Sequence, residues 1–217
     1  TATCARLATG QALHHEEGAV EAATILGLDD RTLIATGDQA GIIRLIERSA
    51  DGRWHQRCRA EAGVGAIGDL ALSPDGRQLA IAGEADHAAL IRLDQPAPTK
   101  PQRETASPLL ENAKTGCGPI TELRGHSGRL YSIAFAPDAQ QLVTASLDKT
   151  ARLWSRDGEP VAILEGHQDR IYRAEFSPDG DWVLTGSRDR SIRIWRRARE
   201  AGAKVQVIST FLPLEAD

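Results

Sequence analysis

An all-β fold, assembled from a repeated sheet of four short antiparallel strands, is what this sequence predicts. Three observations carry the prediction. Leu123–Trp154 reads LRGHSGRLYSIAFAPDAQQLVTASLDKTARLW and Leu164–Trp195 reads LEGHQDRIYRAEFSPDGDWVLTGSRDRSIRIW, and the two align without a gap at an offset of 41 residues. The apolar runs are too short to be core helices, and they stop at Pro-Asp, Asp-Gly and Gly-rich turns. Within a run both alternating positions are apolar, as in sheets stacked face to face.

Each element follows from its residues. In the unit 125–164, Leu130–Phe135 is the first strand and Pro137-Asp138 breaks it. Gln141–Ser146 and Thr150–Trp154 follow, separated by Leu147-Asp148-Lys149, and Asp157-Gly158 turns the chain into Val161–Leu164. The unit 166–208 repeats this arrangement, with Lys204–Ile208 as its outermost strand. Two weaker copies lie upstream. In 18–58, Val20–Leu26, Thr32–Thr36 and Ile42–Leu45 read as strands, with Gly37–Gly41 as a turn. In 63–123, Ile67–Leu72 runs into Ser73-Pro74-Asp75-Gly76, the same turn as Ser177-Pro178-Asp179-Gly180, and Leu79–Ala82 and Leu90–Leu93 supply two more strands. Residues 1–15 read as half a unit, because Cys4–Leu7 followed by Thr9-Gly10-Gln11 resembles the end of a third strand and its turn. An insertion over 95–118, with Pro96, Pro98, Pro101 and Pro108, reads as a mobile surface loop or as a docking segment for a partner.

The Gly125-His126 and Gly166-His167 pairs, the Pro137-Asp138 and Pro178-Asp179 turns, Asp148 and Asp189, and Trp154 and Trp195 resemble the landmarks of the WD-repeat (WD40) family of β-propellers. A period of about 40–45 residues with four strands is that family's signature. The resemblance implies propeller blades of four antiparallel strands around a central axis. This chain would supply four blades and a fraction of a ring that the family most often closes with seven. The resemblance also implies a hydrogen-bonded network in each blade. His126, Thr144 or Ser146, Asp148 and Trp154 form one set, and His167, Thr185 or Ser187, Asp189 and Trp195 the other. The upstream blades depart from the pattern: Glu16 and Gly63 stand at the histidine position and Ile46 and Asp94 at the tryptophan position, so no such network is expected there.

Composition narrows the function. The chain is 41% hydrophobic, enough for a core, and carries a net charge of -4 that argues against a general affinity for nucleic acid. No apolar run approaches the roughly 18 residues of a membrane-spanning helix. Cys4, Cys58 and Cys117 are odd in number and far apart, which reads as free thiols in a reducing, cytoplasmic compartment rather than a disulfide framework or zinc site. The chain starts at Thr1 and contains no methionine, which reads as a segment of a longer polypeptide.

The Ser-His-Asp composition of the repeats matches a hydrolase triad in residue type. It recurs twice at one spacing without a G-x-S-x-G elbow, so it reads as structural, and no catalytic residue, metal site or cofactor is expected. His14-His15, beside Glu16 and Glu17, cannot chelate one ion from a flat strand, because adjacent side chains point to opposite faces. Gly63–Gly68 spells G-x-G-x-x-G but leads into a strand rather than a helix, so it does not read as a dinucleotide loop. The arginines at 129, 170, 173, 188, 190 and 193 and in Arg196-Arg197-Ala198-Arg199 interleave with Asp169, Asp179, Asp181 and Asp189, and read as a solvated, salt-bridged surface.

The function that the resemblance implies is a non-enzymatic platform for a protein or peptide partner, completed by other domains or chains. It would serve as the scaffold or sensor part of a larger regulator such as a signalling ATPase, kinase or caspase-like protease. The residues matching the family's binding face are Arg129, Tyr131, Leu147, Arg170, Tyr172 and Arg188. Tyrosine and arginine are the side chains that most often carry interface energy. The alternatives are a nucleic-acid-binding propeller and one that binds a small ligand.

Overall fold

A computed structural model describes residues 19–29, 31–48, 52–94, 117–202 and 205–212. Among them lie sixteen strands and no helix, in four antiparallel sheets whose strands follow chain order. Sheet one holds β1 (Val20–Gly27), β2 (Thr32–Asp38), β3 (Ile42–Arg48) and β4 (Trp54–Glu61). Sheet two holds β5 (Ile67–Leu72), β6 (Gln78–Gly83), β7 (His87–Arg92) and β8 (Ile120–Arg124). Sheet three holds β9 (Leu130–Phe135), β10 (Gln141–Ser146), β11 (Ala151–Ser155) and β12 (Pro160–Leu164). Sheet four holds β13 (Ile171–Phe176), β14 (Trp182–Ser187), β15 (Ile192–Arg196) and β16 (Val207–Phe211). The first strands of successive sheets, β1, β5, β9 and β13, lie side by side, so the sheets fan out from one inner edge.

Each gap between sheets is a separate apolar core. Leu33, Ala35, Ile43 and Leu45 of sheet one pack on Leu70, Leu79, Ile81 and Ile91 of sheet two. Ala80, Ala88 and Leu90 on the other face of sheet two meet Leu130, Leu142 and Trp154. Val143, Ala151 and Leu153 on the far side of sheet three meet Ile171, Val183 and Trp195. This is why both alternating positions of each strand are apolar: every inner sheet has two faces to bury, and facing sheets interdigitate their side chains.

Several expectations need correction. The strand expected at Lys204–Ile208 begins at Val207 and runs to Phe211, since its ladder pairs Trp195 with Val207 and Ile192 with Phe211. The tryptophan position of sheet two is held by Ile91, not Asp94. Leu79 pairs with Ile91 as Leu142 pairs with Trp154 and Val183 with Trp195, whereas Asp94 lies beyond the strand. Ile46, paired with Ile34, does hold that position in sheet one. Cys58 and Cys117 are not free thiols but form a disulfide, buried at 5% and 4% exposure, between the outer edges of sheets one and two. Their 59-residue separation hid the fact that β4 and the approach to β8 are neighbours once the sheets stack. Arg197 is not solvated surface, its side chain being 2% exposed. The glycine run at 63–68 enters β5, with Gly63 and Gly65 at φ 71° and 69° forming the bend. The partial unit at 1–15, the histidine pair His14-His15, Glu16 and the insertion up to residue 116 lie outside the described residues.

The disulfide closes a long loop, so reducing it should destabilise the chain by about 2–4 kcal/mol through the entropy regained by the unfolded state. Urea unfolding with and without dithiothreitol measures this. Identical midpoints would show that the bridge carries no stability.

Candidate functional site

Sheets three and four each contain a continuous polar chain running through the apolar core. The Trp154 indole N–H donates to the Thr144 hydroxyl oxygen at 2.9 Å, Thr144 lies 2.8 Å from His126 Nε2, and His126 Nδ1 lies 2.8 Å from the Asp148 carboxylate. A carboxylate only accepts, so Nδ1 carries the imidazole proton, and Nε2 accepts from Thr144. The fourth sheet repeats the arrangement: Trp195 to Thr185 at 2.8 Å, Thr185 to His167 at 2.7 Å and His167 to Asp189 at 2.8 Å. Each buried donor thus finds an acceptor, without which burial would cost a few kcal/mol per group.

The Gly-His pairing has a steric cause. Gly125 sits at φ 150°, and a Cβ there would come within 2.6 Å of Arg152 Nη1. Gly166 sits at φ 139° against Arg193 in the same way. In sheet two Ile81 and Ile91 replace the threonine and tryptophan, and the polar chain gives way to aliphatic packing.

Burial works to raise the pKa of Asp148, but hydrogen bonds from His126, Thr150 and the Ser127 N–H outweigh it and hold the carboxyl well below the usual range. Asp189 is depressed likewise: burial opposes, while Ser191, the Gln168 N–H and His167 prevail. Burial lowers the pKa of His167 against the pull of Asp189. Thr144 and Thr185 are fully buried and already accept from an indole N–H, so neither hydroxyl can meet a substrate. Among the described residues no group of three or more His, Cys, Asp or Glu is placed to hold a metal ion.

The serines of the two sets do different work from the threonines. Ser146 Oγ donates toward the carbonyls of Gly128 and Arg129 and accepts the Asp148 N–H. Ser187 Oγ does the same for Asp169, Arg170 and the Asp189 N–H. They tie the turn before the third strand to the loop entering the first, and that loop carries the candidate binding residues.

Those residues form one contiguous surface. The rings of Tyr131 and Tyr172 meet edge to face with centroids 5.2 Å apart. Arg170 Nη1 donates to the Tyr131 hydroxyl at 3.0 Å, and the Arg129 guanidinium lies 5.0 Å from the Tyr131 ring centroid. Leu147 and Tyr172 are 40% and 46% exposed. Arg170 and Arg188 both approach Asp169, at 3.8 and 4.0 Å, and Arg129 approaches Glu84 at 3.7 Å. Glu84, which sequence reasoning missed, stands where the other two sheets have Leu147 and Arg188, since each follows the last residue of its second strand.

Also missed were the polar staples between sheets. Asp69 on β5 accepts the Ile133 N–H of β9 at 3.0 Å and reaches Arg173 of β13 at 3.5 Å. Burial raises its pKa against the pull of those partners. Arg197 grips Asp138 through both terminal nitrogens, at 2.9 and 3.1 Å, and Arg156 pairs with Asp75 at 3.3 Å. The signal was present in the repeat: the aspartate belongs to the Pro-Asp turn and the arginine sits two residues after the tryptophan, both recurring at the 41-residue offset.

Residues 117–155 and 158–196 match the family model described as WD domain, G-beta repeat. The "Protein LST8 homolog" of Drosophila melanogaster is 31% identical over 124 residues, covering 57% of this chain and 34% of that protein. "Protein hir-1" of Neurospora crassa is 31% identical over 102 residues, covering 46% of this chain and 10% of that protein. The chain therefore spans about a third of the first relative and a tenth of the second. A solved structure described as the WD40 beta propeller domain of Doa1 superposes with a TM-score of 0.65 at 23% identity, covering 94% of this chain and 58% of that one, a likeness of fold.

Trp154→Phe should destabilise the chain by about 1–3 kcal/mol, because the Thr144 hydroxyl loses a donor in a dry site. Thr144→Val combined with Trp154→Phe should cost less than the sum of the two single changes, as chemical denaturation of all three variants would show. A pH dependence also follows. Folded His167 resists the proton that an unfolded histidine accepts near pH 6.5, so stability falls as the pH drops through that value. Asp148 and Asp189 contribute above the unfolded carboxylate value, and that contribution fades as the pH falls through their depressed folded values. Thermal melts from pH 7 to 3 at constant ionic strength should show a decline that begins below 7 and steepens at the acid end. A flat profile between 7 and 5 would contradict the histidine assignment.

Proposed function

We propose, for a chain that belongs to the WD40-repeat β-propellers, a non-enzymatic role as a protein-interaction scaffold or sensor whose working surface is the tyrosine–arginine face of sheets three and four. The observation that carries this reading is the edge-to-face Tyr131–Tyr172 pair, flanked by Arg129, Arg170 and Arg188 and held by loops that Ser146 and Ser187 anchor. Rigid aromatic anchors with a cationic rim favour an acidic, aromatic-containing peptide segment. The carboxylates of Asp169 and Glu84 hold the arginines loosely, at 3.7–4.0 Å, so an incoming carboxylate can displace them. The reading takes residues 1–217 as one propeller segment of a larger multidomain regulator, with other domains or chains completing the ring.

A panel of acidic, neutral and basic peptides tests the face. Acidic peptides containing an aromatic residue should bind, and Tyr131→Ala with Tyr172→Ala should abolish binding while the melting temperature shifts by only a few degrees. Undiminished binding by the folded double variant would move the working surface elsewhere. Cytoplasmic placement is part of the same proposal, with the Cys58–Cys117 disulfide kept by its burial in a compartment that otherwise holds cysteines as thiols. Fractionation of the source cells should recover the chain with the cytoplasm, whereas recovery from an oxidising compartment would overturn this part of the proposal.

A further inference from the structure

We infer that the tyrosine–arginine face takes its peptide in one direction only, with the acidic, aromatic part over sheets three and four and a lysine or arginine side chain beside Gly68 and Glu84 of sheet two. The inference rests on the scaffold reading above, and it specifies the second half of the partner segment.

The first argument is a bulge shared by the inner strands. In each sheet the ladder between the first and second strands slips by one residue at the same point: between Val20 and Ala22, Ile67 and Asp69, Leu130 and Ser132, and Ile171 and Arg173. The extra residue is left out of the ladder, and a bulge re-aims its side chain. These residues are Glu21, Gly68, Tyr131 and Tyr172, one from each sheet in turn. The edge-to-face contact of Tyr131 with Tyr172, at 5.2 Å, is therefore a contact between neighbours in a row. The next place in that row belongs to Gly68, which has no side chain to continue it. A Cβ there would meet nothing closer than the Leu130 carbonyl oxygen at 3.9 Å, so the place beside Tyr131 has room for a partner's side chain. Glu21, one place further, carries a carboxylate that accepts from Gln39 at 2.6 Å.

The second argument is a graded series of charges. The turn between the second and third strands exposes Leu147 and Lys149 in sheet three. At the equivalent places sheet four exposes Arg188 and Arg190, and sheet two exposes Glu84 and Asp86. The turn is thus doubly negative in sheet two, singly positive in sheet three and doubly positive in sheet four. The residue that enters the first strand follows the same trend, with Ala66 in sheet two against Arg129 and Arg170 in the others. A uniformly acidic segment is attracted at one end of this face and repelled at the other, and a phosphate backbone meets the same repulsion. Complementarity therefore asks for a segment of mixed sign and fixes its direction.

The third argument is an exchange of partners at the border between the two halves. Arg129 lies over the Tyr131 ring and approaches Glu84 at 3.7 Å, so a guanidinium already sits between that ring and that carboxylate. When Arg129 turns to a carboxylate of the peptide, Glu84 loses its only nearby cation among the described ion pairs. A basic residue of the same peptide restores the balance, with its charge on Glu84 and its stem beside Gly68 and the Tyr131 ring. Side chains on one face of an extended segment recur every second residue, about 7 Å apart. The basic residue thus falls about two to four positions from the aromatic one that Tyr131 and Tyr172 hold.

Fluorescence anisotropy with synthetic peptides built on an Asp-Phe-Asp core tests this. Lysine or alanine is placed about two to four positions before the core or after it. Lysine on one side should tighten binding by about tenfold relative to alanine, and lysine on the other side should not. Glu84→Gln should bring the lysine-to-alanine ratio close to one, and Gly68→Tyr should do the same by filling the open place with a ring. Glu84→Arg, which gives sheet two the residue that sheet four has in Arg188, should make glutamate bind better than lysine at that position. The peptide series is read on the unaltered chain, so its outcome does not depend on how the variants fold. Binding of the alanine peptide with no gain from lysine at any position would overturn the inference and leave the scaffold reading standing. An equal gain on both sides, or a gain that survives Glu84→Gln, would overturn the direction and the place assigned to the basic residue. Failure of every peptide to bind would overturn the scaffold reading and this inference together.

Discussion

A sheet that is apolar on both faces is stable only when both faces are covered, and this single constraint organises the molecule. Val143, Ala151 and Leu153 look one way from sheet three while Leu142 and Trp154 look the other, and each set is buried against a different neighbour. Stacking therefore propagates from sheet to sheet. It also has a chemical consequence: any polar group on those faces is removed from water and must be satisfied within the gap. The Trp–Thr–His–Asp chains meet that demand, leading an indole N–H through a hydroxyl and an imidazole to a carboxylate at the edge of the sheet.

The same chains fix the surface. Asp148 receives the His126 imidazole and the Ser127 N–H, while Ser146 receives the Asp148 N–H and donates toward the carbonyls that precede Leu130. The loop carrying Arg129 and leading to Tyr131 is thereby referenced to the buried tryptophan. Its counterpart at Arg170 and Tyr172 is referenced to Trp195 through Asp189 and Ser187. Two loops from separate sheets keep a fixed relation because each is tied to its own core, which is how two tyrosines 41 residues apart come into edge contact. An interface built on rigid elements loses less entropy on binding than one built on free loops.

Repetition makes most of this legible in the sequence. The gapless match of residues 123–154 with 164–195 located the strands of sheets three and four, and it paired Tyr131 with Tyr172. What escaped was whatever repetition does not encode. Cys58 and Cys117 have no counterparts in other units, and their contact arises only where the outer edges of two sheets meet. Asp94 reads as the tryptophan position because sheet two lacks an aromatic to anchor the alignment; the Leu79–Ile91 pairing reveals the register. Arg197 looked like one of a cluster of solvated cations. Its burial depends on Asp138 and Gln141 of the preceding sheet, and a run of arginines cannot show which member lies over such a partner. Asp69 is hidden for the same reason, as the groups that donate to its carboxylate come from β9 and β13.

The chain thus fills its sheet interfaces in two ways, and the difference has physical consequences. Between sheets one and two the gap is aliphatic, with Ile81 and Ile91 replacing the polar chain, and a disulfide bridges the outer edges. The other two gaps contain tryptophans whose partners end in ionised carboxylates and imidazoles. Aliphatic packing is indifferent to protons, whereas a chain ending in Asp148 or Asp189 depends on those carboxylates staying charged. Acid therefore reaches the tyrosine–arginine face through Asp148 and Asp189, groups beneath it that never touch a partner. Loss of binding on acidification would consequently reflect loosened loops at Arg129 and Arg170 before any change in the charge of the arginines themselves, which stay protonated throughout.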